Sequence, residues 1–330
     1  MTVLYILASL AAIAGVALFA KTKQVDAGRE KALQEFNRMD VSRLSPFGSV
    51  QSLSILPLVD FYADDSSLQT EPGVSYLVRA DETTILLDTG LNAKKAHPSP
   101  LLQNMAQLGV SEKEIDMIFL SHLHLDHVGG MKNQKEKTFS LSNGPVDLGP
   151  IPVYAPAHVT ASAFNPAPVT TTIREPAVLK PGIASIGVIP RYLFLMGDTP
   201  ENALAVNVEG KGIVLIIGCG HQTIGRILDR ARELFDEPIH AIIGGLHFPV
   251  SSGRIMIGPV NIQRIVGSDQ PPWRGLGKKD VAEAIEAIKK VSPKLIALSP
   301  HDSCDWSLDQ FRRTFGDAYV DLKVGREIRI

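Results

Sequence analysis

The most informative segment of this chain runs Ser121-His122-Leu123-His124-Leu125-Asp126-His127 and follows the apolar residues Met117 to Leu120. Three histidines and an aspartate between positions 122 and 127 suit neither a hydrophobic core nor an ordinary loop, so the segment predicts a metal site. Because alternate residues of an extended segment point the same way, His122 and His124 can hold one ion. Asp126 and His127 then face a neighbouring position and can bind a second ion. These ligand types suit zinc, with manganese or iron as alternatives.

The same arrangement recurs along the chain, where an apolar run leads directly into a loop that carries a reactive polar residue. It is found at Ile85 to Thr89, Ile213 to His221, Ile239 to His247 and Lys294 to Asp302. Apolar residues at helical spacing lie between these runs, at Ile224, Ile227, Leu228, Ala231 and Leu234, and at Val281, Ala284, Ile285 and Ile288. Strands that alternate with helices indicate an α/β layered fold, and we expect the polar loops to converge on one edge of it.

Composition narrows the classes of partner. The chain has 330 residues, 33 basic and 35 acidic side chains, and a formal net charge of -2, so no strongly basic face is implied. Nucleic acid is therefore not expected as a partner. We expect a small-molecule substrate instead. The two cysteines, Cys219 and Cys304, each stand close to a histidine, which favours a place in or near the active site over a disulfide framework.

The N-terminal segment predicts membrane attachment. Thr2 to Ala20 is apolar and uncharged, and about 20 such residues suffice for a helix to cross a bilayer. We therefore expect a transmembrane helix at residues 1–20 and a polar linker at 21–48. A cleaved signal peptide is the alternative, although no Lys or Arg precedes the apolar run. Basic residues follow the run, at Lys21, Lys23, Arg29 and Lys31, which favours a cytoplasmic catalytic domain over a periplasmic or secreted one.

The rest of the chain, residues 49–330, is expected to form one catalytic domain. Within it, residues 131–190 are rich in Pro, Thr and Ala and show little periodicity. We expect this segment to be an insertion or a lid over the functional edge.

The motifs resemble those of the metallo-β-lactamase superfamily. His122 to His127 is similar to its second motif, and Leu86-Leu87-Asp88-Thr89-Gly90 to its first. The resemblance implies an αββα sandwich with two metal ions at the edge between its sheets. Gly218-Cys219-Gly220-His221 and Gly244-Gly245-Leu246-His247 further resemble the branch related to dihydropterin-methyl-ribofuranosylaminobenzene-phosphate synthase. The chain departs from that branch at Pro72, where a histidine is frequent, and at His301-Asp302-Ser303-Cys304, where His-Cys-Thr-Gly is typical.

The resemblance also implies the remaining ligands. Cys219 stands at the place of the bridging residue, and His221 can serve instead of it or beside it. His247 follows the next strand and fits the final ligand. Asp198, in Gly197-Asp198-Thr199-Pro200, aligns with the histidine of the family's Gly-His-Thr-Pro and is an alternative. His301 is expected to stay free of metal and to protonate a leaving group or bind an anionic substrate.

The expected activity is hydrolysis of an ester, a lactone or a phosphoester, or a related transfer. Two divalent ions would lower the pKa of a water molecule and stabilise the charge that forms during its attack, while Asp126 helps to hold the hydroxide. One alternative on the same fold is a di-iron redox protein. Another is a non-catalytic sensor or scaffold that uses the anchor.

Overall fold

A computed structural model of the protein describes residues 2–39 and 41–330. Its helices are, in chain order, α1 (Thr2–Arg38), α2 (Pro100–Gln107), α3 (Met131–Glu136), α4 (Ile224–Leu234), α5 (Ile262–Val266), α6 (Lys278–Lys289) and α7 (Asp305–Phe315). Short 3-10 turns lie at Glu112–Glu114, Pro272–Arg274 and Gly316–Ala318.

The strands of the described residues are short. They are β1 (Leu53–Val59), β2 (Ser75–Ala80), β3 (Thr83–Leu87), β4 (Met117–Phe119), β5 (Thr138–Phe139), β6 (Pro152–Ala155), β7 (Thr160–Ala161), β8 (Val169–Thr172), β9 (Ala177–Lys180), β10 (Ile183–Ser185), β11 (Tyr192–Leu193), β12 (Gly197–Asp198), β13 (Ala203–Val208), β14 (Gly212–Ile217), β15 (Ile239–Gly244), β16 (Met256–Ile257), β17 (Val260–Asn261), β18 (Leu295–Leu298), β19 (Tyr319–Asp321) and β20 (Ile328–Arg329).

Two seven-stranded sheets dominate the fold. The first has the order β20-β1-β2-β3-β4-β6-β8, and the second has the order β19-β18-β15-β14-β13-β10-β9. Strands β3, β4, β6 and β8 run parallel in the first sheet, and β14, β15, β18 and β19 run parallel in the second. The remaining neighbours are antiparallel.

The sheets pack face to face because side chains alternate along each strand. In β13, Leu204 and Val206 join the core between the sheets, whereas Ala203 and Ala205 join the core under the helices. The inner core takes side chains from both sheets, among them Ile55, Tyr76, Val78, Ile85, Val214, Ile216 and Ile243. Each such aliphatic side chain contributes about 1.5–3 kcal/mol when it leaves water.

Helices cover the two outer faces. On the second sheet, α4, α6 and α7 bury the residues that the helical spacing predicted, from Ile224 to Leu234 and from Val281 to Ile288. On the first sheet, α2 buries Leu101 and Met105 against Leu56 and Ile118. The layers are therefore helix, sheet, sheet and helix, which is the predicted αββα sandwich.

Residues 131–190 differ from the insertion or lid that was expected. They supply β6 and β8 to the edge of the first sheet and β9 and β10 to the edge of the second. These strands have three or four residues each, and their burial patterns differ from one strand to the next. That is why their sequence has weak periodicity although they belong to the sheets.

Helix α1 combines the predicted anchor and the start of the predicted linker. Its second half packs on the domain through buried Val25 and Ala32, and Gly28 lies so close to the Tyr192 ring that a Cβ atom would clash. The first half exposes apolar side chains, such as Val16 and Phe19 at 70% and 65%. Among the described residues, no helix has both the length and the apolar character needed to cross a membrane. The structure thus does not support the transmembrane helix predicted for residues 1–20, some of which fall outside the description.

Candidate metal centre

Strand direction brings the predicted site residues together. The loop of His122 to His127 follows β4, and the loops of Cys219, His247 and His301 follow β14, β15 and β18. Because β14, β15 and β18 are parallel, their carboxyl ends meet at one edge of the second sheet. The carboxyl end of β4 faces them from the first sheet, so the polar loops meet between the sheets at that edge.

A first ligand group consists of His122, His124, His221 and Cys219. Ligand atoms of His122, Cys219 and His221 all lie within 4.8 Å of one another. The ring of His124 joins them, with its centroid 4.5 Å from that of His122 and 5.1 Å from that of His221. Imidazole and thiolate donors at this separation can share one ion.

A second ligand group consists of Asp126, His127, His301 and the same Cys219. Their ligand atoms also lie within 4.8 Å of one another. The Sγ atom of Cys219 is 3.3 Å from Nε2 of His127 and 3.2 Å from Nε2 of His301. Cys219 therefore belongs to both groups.

Buried hydrogen bonds orient the histidines of the first motif. Asp88 accepts from the backbone N–H and the hydroxyl of Ser121, at 2.8 and 2.7 Å, and it lies 2.6 Å from Nδ1 of His127. Because the carboxylate accepts at Nδ1, His127 presents the lone pair of Nε2 to the site. The Ser121 hydroxyl is 3.1 Å from Nδ1 of His122 and leaves its Nε2 free in the same way. Such partners fix the tautomer of a metal-binding histidine.

His301 is oriented by an equivalent relay. Its Nδ1 is 2.6 Å from the hydroxyl of Ser299, which in turn donates to Asp60 at 2.6 Å. Since the serine proton goes to Asp60, the hydroxyl oxygen accepts from Nδ1–H of His301. The Nε2 lone pair then points at Cys219. Tyr76 donates a second hydrogen bond to Asp60 at 3.0 Å and completes the relay.

The residues fit divalent metal ions. Among the described residues, Nε2 of His122 and both ring nitrogens of His221 are buried without a hydrogen-bond partner. Each such unpaired group costs about 1–3 kcal/mol unless something else satisfies it. Burial also lowers the pKa of His122, His221 and His301 well below the usual value, so these rings are neutral, as metal ligands must be.

The charges of the site favour a cation in the same way. Burial raises the pKa of Cys219 and of Asp126. Burial lowers the pKa of His127, but Asp88 and Asp126 outweigh it and raise that pKa to about 9. Buried acids without enough positive charge around them keep their protons. A bound divalent ion supplies that charge and favours their deprotonated forms.

Glu201 belongs to the site although it was not among the predicted residues. Its carboxylate accepts from the backbone N–H of Cys219 at 3.1 Å and of Gly220 at 2.7 Å, so it holds the bridging loop. Burial raises its pKa to about 7. β13 is antiparallel to β14 and pairs Ala203 with Ile217, which places Glu201, just before β13, at the same edge. Only the pairing of β13 with β14 could have identified Glu201 as a residue of the site.

The structure also locates the remaining predicted residues. His301 was expected to be free of metal, but it lies in the second ligand group. His247 was expected as the final ligand, and it lies with Cys219 and Asp302 in a third group whose ligand atoms are within 4.8 Å of one another. Its ring centroid is 4.4 Å from that of His221. Asp198, the alternative ligand, is exposed on β12 and takes no part in these groups.

His247 is held beside the first group in a strained conformation. Its φ of 54° is in the left-handed region, which a side chain other than glycine adopts only under constraint from its surroundings. Its backbone N–H donates to Asp302 at 2.9 Å, and its Nε2 lies 3.2 Å from the carbonyl oxygen of Gln263. Because a carbonyl only accepts, Nε2 carries the hydrogen. The buried Nδ1 keeps a lone pair that has no partner in the described structure.

Fold and site define a metallo-β-lactamase-fold protein, and sequence similarity agrees. The family model of the metallo-beta-lactamase superfamily matches residues 68–228, which confirms the predicted resemblance to that superfamily. The chain is similar to 7,8-dihydropterin-6-methyl-4-(beta-D-ribofuranosyl)-aminobenzene-5'-phosphate synthase of Methanocaldococcus jannaschii, with 24% identity over 271 residues, which are 68% of this chain and 87% of the relative. The predicted resemblance to that branch is thereby confirmed.

Solved structures share the fold. A metal-dependent hydrolase of the beta-lactamase superfamily superposes with a TM-score of 0.57 and 18% identity, over 84% of this chain and 99% of that one. A metallo-beta-lactamase fold protein from Bacillus subtilis superposes with a TM-score of 0.50 and 13% identity, over 84% and 99% of the two chains. At these identities the similarity establishes the fold alone.

Proposed function

We propose that the protein is a dinuclear metal-dependent hydrolase that acts on a small-molecule ester, lactone or phosphoester, or carries out a related transfer. The observation that carries this proposal is the position of Cys219, whose Sγ atom is shared by three groups of ligand atoms, two of which contain the histidines of the His122 to His127 motif. A shared ligand is what two ions held side by side require. The similarity to a synthase is the reason to include transfer to an acceptor other than water.

In this proposal the first ion is held by His122, His124 and His221, and the second by Asp126, His127 and His301, with Cys219 between them. Zinc suits the imidazole and thiolate donors best, and manganese or iron suits the carboxylate. Two bound ions would lower the pKa of a water molecule towards neutrality and polarise the substrate oxygen.

The chain's own residues prepare the site. Asp88, Ser121 and Ser299 turn Nε2 of three histidines inwards. These rings therefore need little reorientation to bind an ion. Asp126 is partly exposed at the mouth of the site, where its carboxylate can accept a proton from the attacking water and orient it. In this proposal His301 holds the second ion through Nε2 while its Nδ1–H donates to Ser299, so it is not the group that protonates the leaving group.

A small-molecule substrate matches the space beside the ligands. A cavity of about 340 Å³ borders His221 and His247, and cavities from about 300 Å³ upwards hold ligands of this size. A more open groove of about 790 Å³ lies between α1 and the segment from Arg174 to Pro176. None of the ligand residues lines that groove, so we place the substrate in the smaller cavity.

The direct test is activity profiling of zinc- and manganese-loaded protein against esters, lactones, phosphomonoesters and phosphodiesters, with and without an added amine or alcohol as acceptor. The control is the double variant His124→Ala with Asp126→Ala, in which bound metal should fall to well below one ion per chain and turnover should disappear. Full metal content in that variant would refute the site. A loaded wild type that turns over no substrate class, or one that purifies with iron and reduces oxygen, would refute the hydrolase.

For the N-terminal segment we propose, on its sequence, that residues 1–20 anchor the protein with the catalytic domain on the cytoplasmic side. The exposed apolar side chains of Leu10, Ile13, Val16 and Phe19 support this proposal. Intact-mass analysis of protein from the membrane fraction tests it. A mature chain that starts between Ala17 and Lys23, or a chain found wholly in the soluble fraction, would contradict it.

A further inference from the structure

An exposed apolar surface lies where the turn after β11 meets the segment that joins β15 to α6, residues 245–277. Trp273 of that segment is 58% exposed, and Leu195, in the turn between β11 and β12, is 50% exposed. The two are neighbours, because the Phe194 ring packs against the Trp273 ring with 6.3 Å between centroids and the Phe194 N–H donates to the carbonyl of Ser268 at 2.8 Å. We call Leu195 and Trp273 the apolar face. The segment exposes further apolar side chains in its β16–β17 hairpin, at Met256, Ile257 and Val260.

The segment carries more positive than negative charge, because residues 245–277 contain three arginines and one acidic residue. The acidic residue, Asp269, is buried and pairs with two arginines of other segments, Arg29 at 3.4 Å and Arg191 at 2.9 Å. The first turn of α6 adds one further positive charge, from Lys278, Lys279 and Asp280. Because Arg274 is exposed beside the tryptophan of the apolar face, this surface combines an aromatic ring with a basic side chain, as surfaces that bind anionic lipid do.

Helix α1 fixes where the apolar face lies relative to the apolar N-terminal run. The helix is unbroken from Thr2 to Arg38, and Val25 is buried on the domain five residues after Ala20 ends the run. Five helical residues rise about 7.5 Å, so the run passes into the domain over a short, continuous helix. Arg29, one turn further on, pairs with Asp269, four residues before the tryptophan of the face. A bilayer that takes up the N-terminal run therefore lies beside the apolar face.

The same segment borders the cavity that leads to the metal centre. Residues 267–270, Arg274 and Leu276 form one wall of this cavity of about 340 Å³, and His221 and His247 form another. Five apolar side chains also line it, those of Ile224, Leu246, Phe248, Ala284 and Ala287. A molecule that reaches the metal ligands from the apolar face therefore passes apolar side chains that can hold a hydrocarbon group.

A second copy of the chain is the other candidate partner for the apolar face. In a two-fold dimer the same surface patches meet, so the Arg274 side chains of the two copies would approach each other. Like charges that face each other weaken such a contact, whereas anionic headgroups strengthen the contact with a bilayer. The charge of the surface thus favours lipid.

We infer that the apolar face docks on an anionic lipid bilayer and that the substrate is an amphiphile, which reaches the metal centre from that bilayer. Trp273 and Leu195 enter the headgroup region, and Arg274 contacts the anionic headgroups. The apolar wall of the cavity receives the hydrocarbon part of the substrate. The substrate class rests on the proposed function, whereas the docking can be tested without turnover.

Quenching by brominated lipid tests the docking, because bromine on the acyl chains quenches only those tryptophans that reach the bilayer. The full chain has two tryptophans, Trp273 on the face and Trp306, which packs against the core under the helices. On vesicles of brominated phosphatidylcholine and phosphatidylserine, wild-type emission should fall by about half relative to unbrominated vesicles. Trp273→Phe should not show this loss. A vesicle-bound wild type without quenching would overturn the inference and leave the N-terminal anchor standing, and a chain that does not sediment with the vesicles would overturn both.

Two matched substitutions separate docking from folding. Leu195→Asp places a charge on the apolar face, and Val169→Asp places the same charge on β8 at the edge of the first sheet, where the valine is 59% exposed. Both should keep the zinc content and the thermal midpoint of wild type. Only Leu195→Asp should reduce the quenching, by about threefold or more. Equal quenching in the two variants would overturn the inference. Should Leu195→Asp not fold, Arg274→Glu takes its place with the same expected loss.

The substrate class is tested with two esters of one head group, a long-chain ester held in the vesicles and a short-chain ester in solution. Zinc-loaded wild type should have a kcat/KM about tenfold or more higher for the long-chain ester, because each methylene that leaves water adds to binding. Leu195→Asp should lower this ratio. Equal values for the two esters would overturn the amphiphile as substrate. Quenching of Trp273 in protein that hydrolyses neither ester would leave the docking face standing and refute the hydrolase alone.

The second copy is tested by light scattering of the lipid-free full chain in detergent. Wild type and Leu195→Asp should have the same mass. A dimer in wild type that dissociates in Leu195→Asp would assign the apolar face to a second copy and overturn the inference.

Discussion

The Sγ atom of Cys219 lies 3.2 Å from Nε2 of His301, although the two residues are 82 positions apart in the chain. β14 ends just before Cys219, and β18 ends just before His301. Both strands run in the same direction on either side of β15, so their carboxyl ends lie at the same edge. This contact makes His301 a ligand candidate and distinguishes the centre from the one expected on the chain's motifs.

Replacement of Cys219 tests the bridging role. Cys219→Ser should lower the second metal's affinity by about 10-fold or more, because a hydroxyl is a much weaker ligand than a thiolate. Cys219→Asp should restore most of the binding through its carboxylate. In cobalt-loaded wild type, a thiolate-to-metal charge-transfer band in the near ultraviolet should be present, and it should be absent from both variants. A band that survives in Cys219→Ser would exclude Cys219 as a ligand.

His301 and His247 form a matched pair of histidines at neighbouring strand ends. His301→Ala should lower the metal content of the purified protein from two ions to about one, since it removes a member of the second group. His247→Ala should keep both ions, because the ring lies beside the first group and is bonded to Gln263. Elemental analysis of the two variants decides this. Loss of an ion in His247→Ala, with both kept in His301→Ala, would return His247 to the ligand set.

Asp88 should control metal affinity without touching the metal. Asp88→Asn removes the carboxylate that fixes Nδ1–H of His127, and we expect affinity for the second ion to fall by about 10–100-fold. Ser299→Ala should act in the same way on His301. Competition with a zinc chelator measures both. Thr314→Ala, an exposed residue of α7 whose hydroxyl donates to the carbonyl of Gln310, serves as the control and should leave affinity unchanged. Equal affinities in wild type and Asp88→Asn would show that the buried carboxylate has no orienting role.

Removal of metal should destabilise the fold. The buried histidine nitrogens without partners become satisfied when ions bind, so folding and binding are linked. At a free zinc concentration 100 times the Kd, the linkage stabilises the folded state by about 2.7 kcal/mol. Thermal unfolding with and without a chelator should therefore show a lower midpoint in the chelated protein. A midpoint that does not move in wild type but moves in the His124→Ala and Asp126→Ala double variant would contradict this account.

Ile216 tests the packing between the sheets. It is fully buried in the inner core, on β14 directly before the bridging loop. Ile216→Ala should lower the free energy of unfolding by about 2–5 kcal/mol, since the rigid sheets cannot close over the cavity. Urea titration measures this loss. Lys279→Ala, an exposed residue of α6, is the control and should change stability by less than about 0.5 kcal/mol.

The sequence by itself determined the layered fold, the covering helices α4 and α6, and the metal motif of His122 to His127. Local patterns were sufficient for these features, because helical spacing and strand alternation reflect burial directly and the four ligands of the motif are adjacent in the chain. The likeness of Cys219 and His221 to a family motif also placed both residues near the site.

Only the tertiary structure decided how that site is completed. The roles of His301 and His247 depend on where β15 and β18 end relative to β14, and no local pattern contains that distance. Glu201 enters the site through the antiparallel pairing of β13 with β14, and residues 131–190 join two sheets at their edges, where short strands leave little periodicity. Each of these features depends on contacts between residues far apart in the chain, which folding alone brings together.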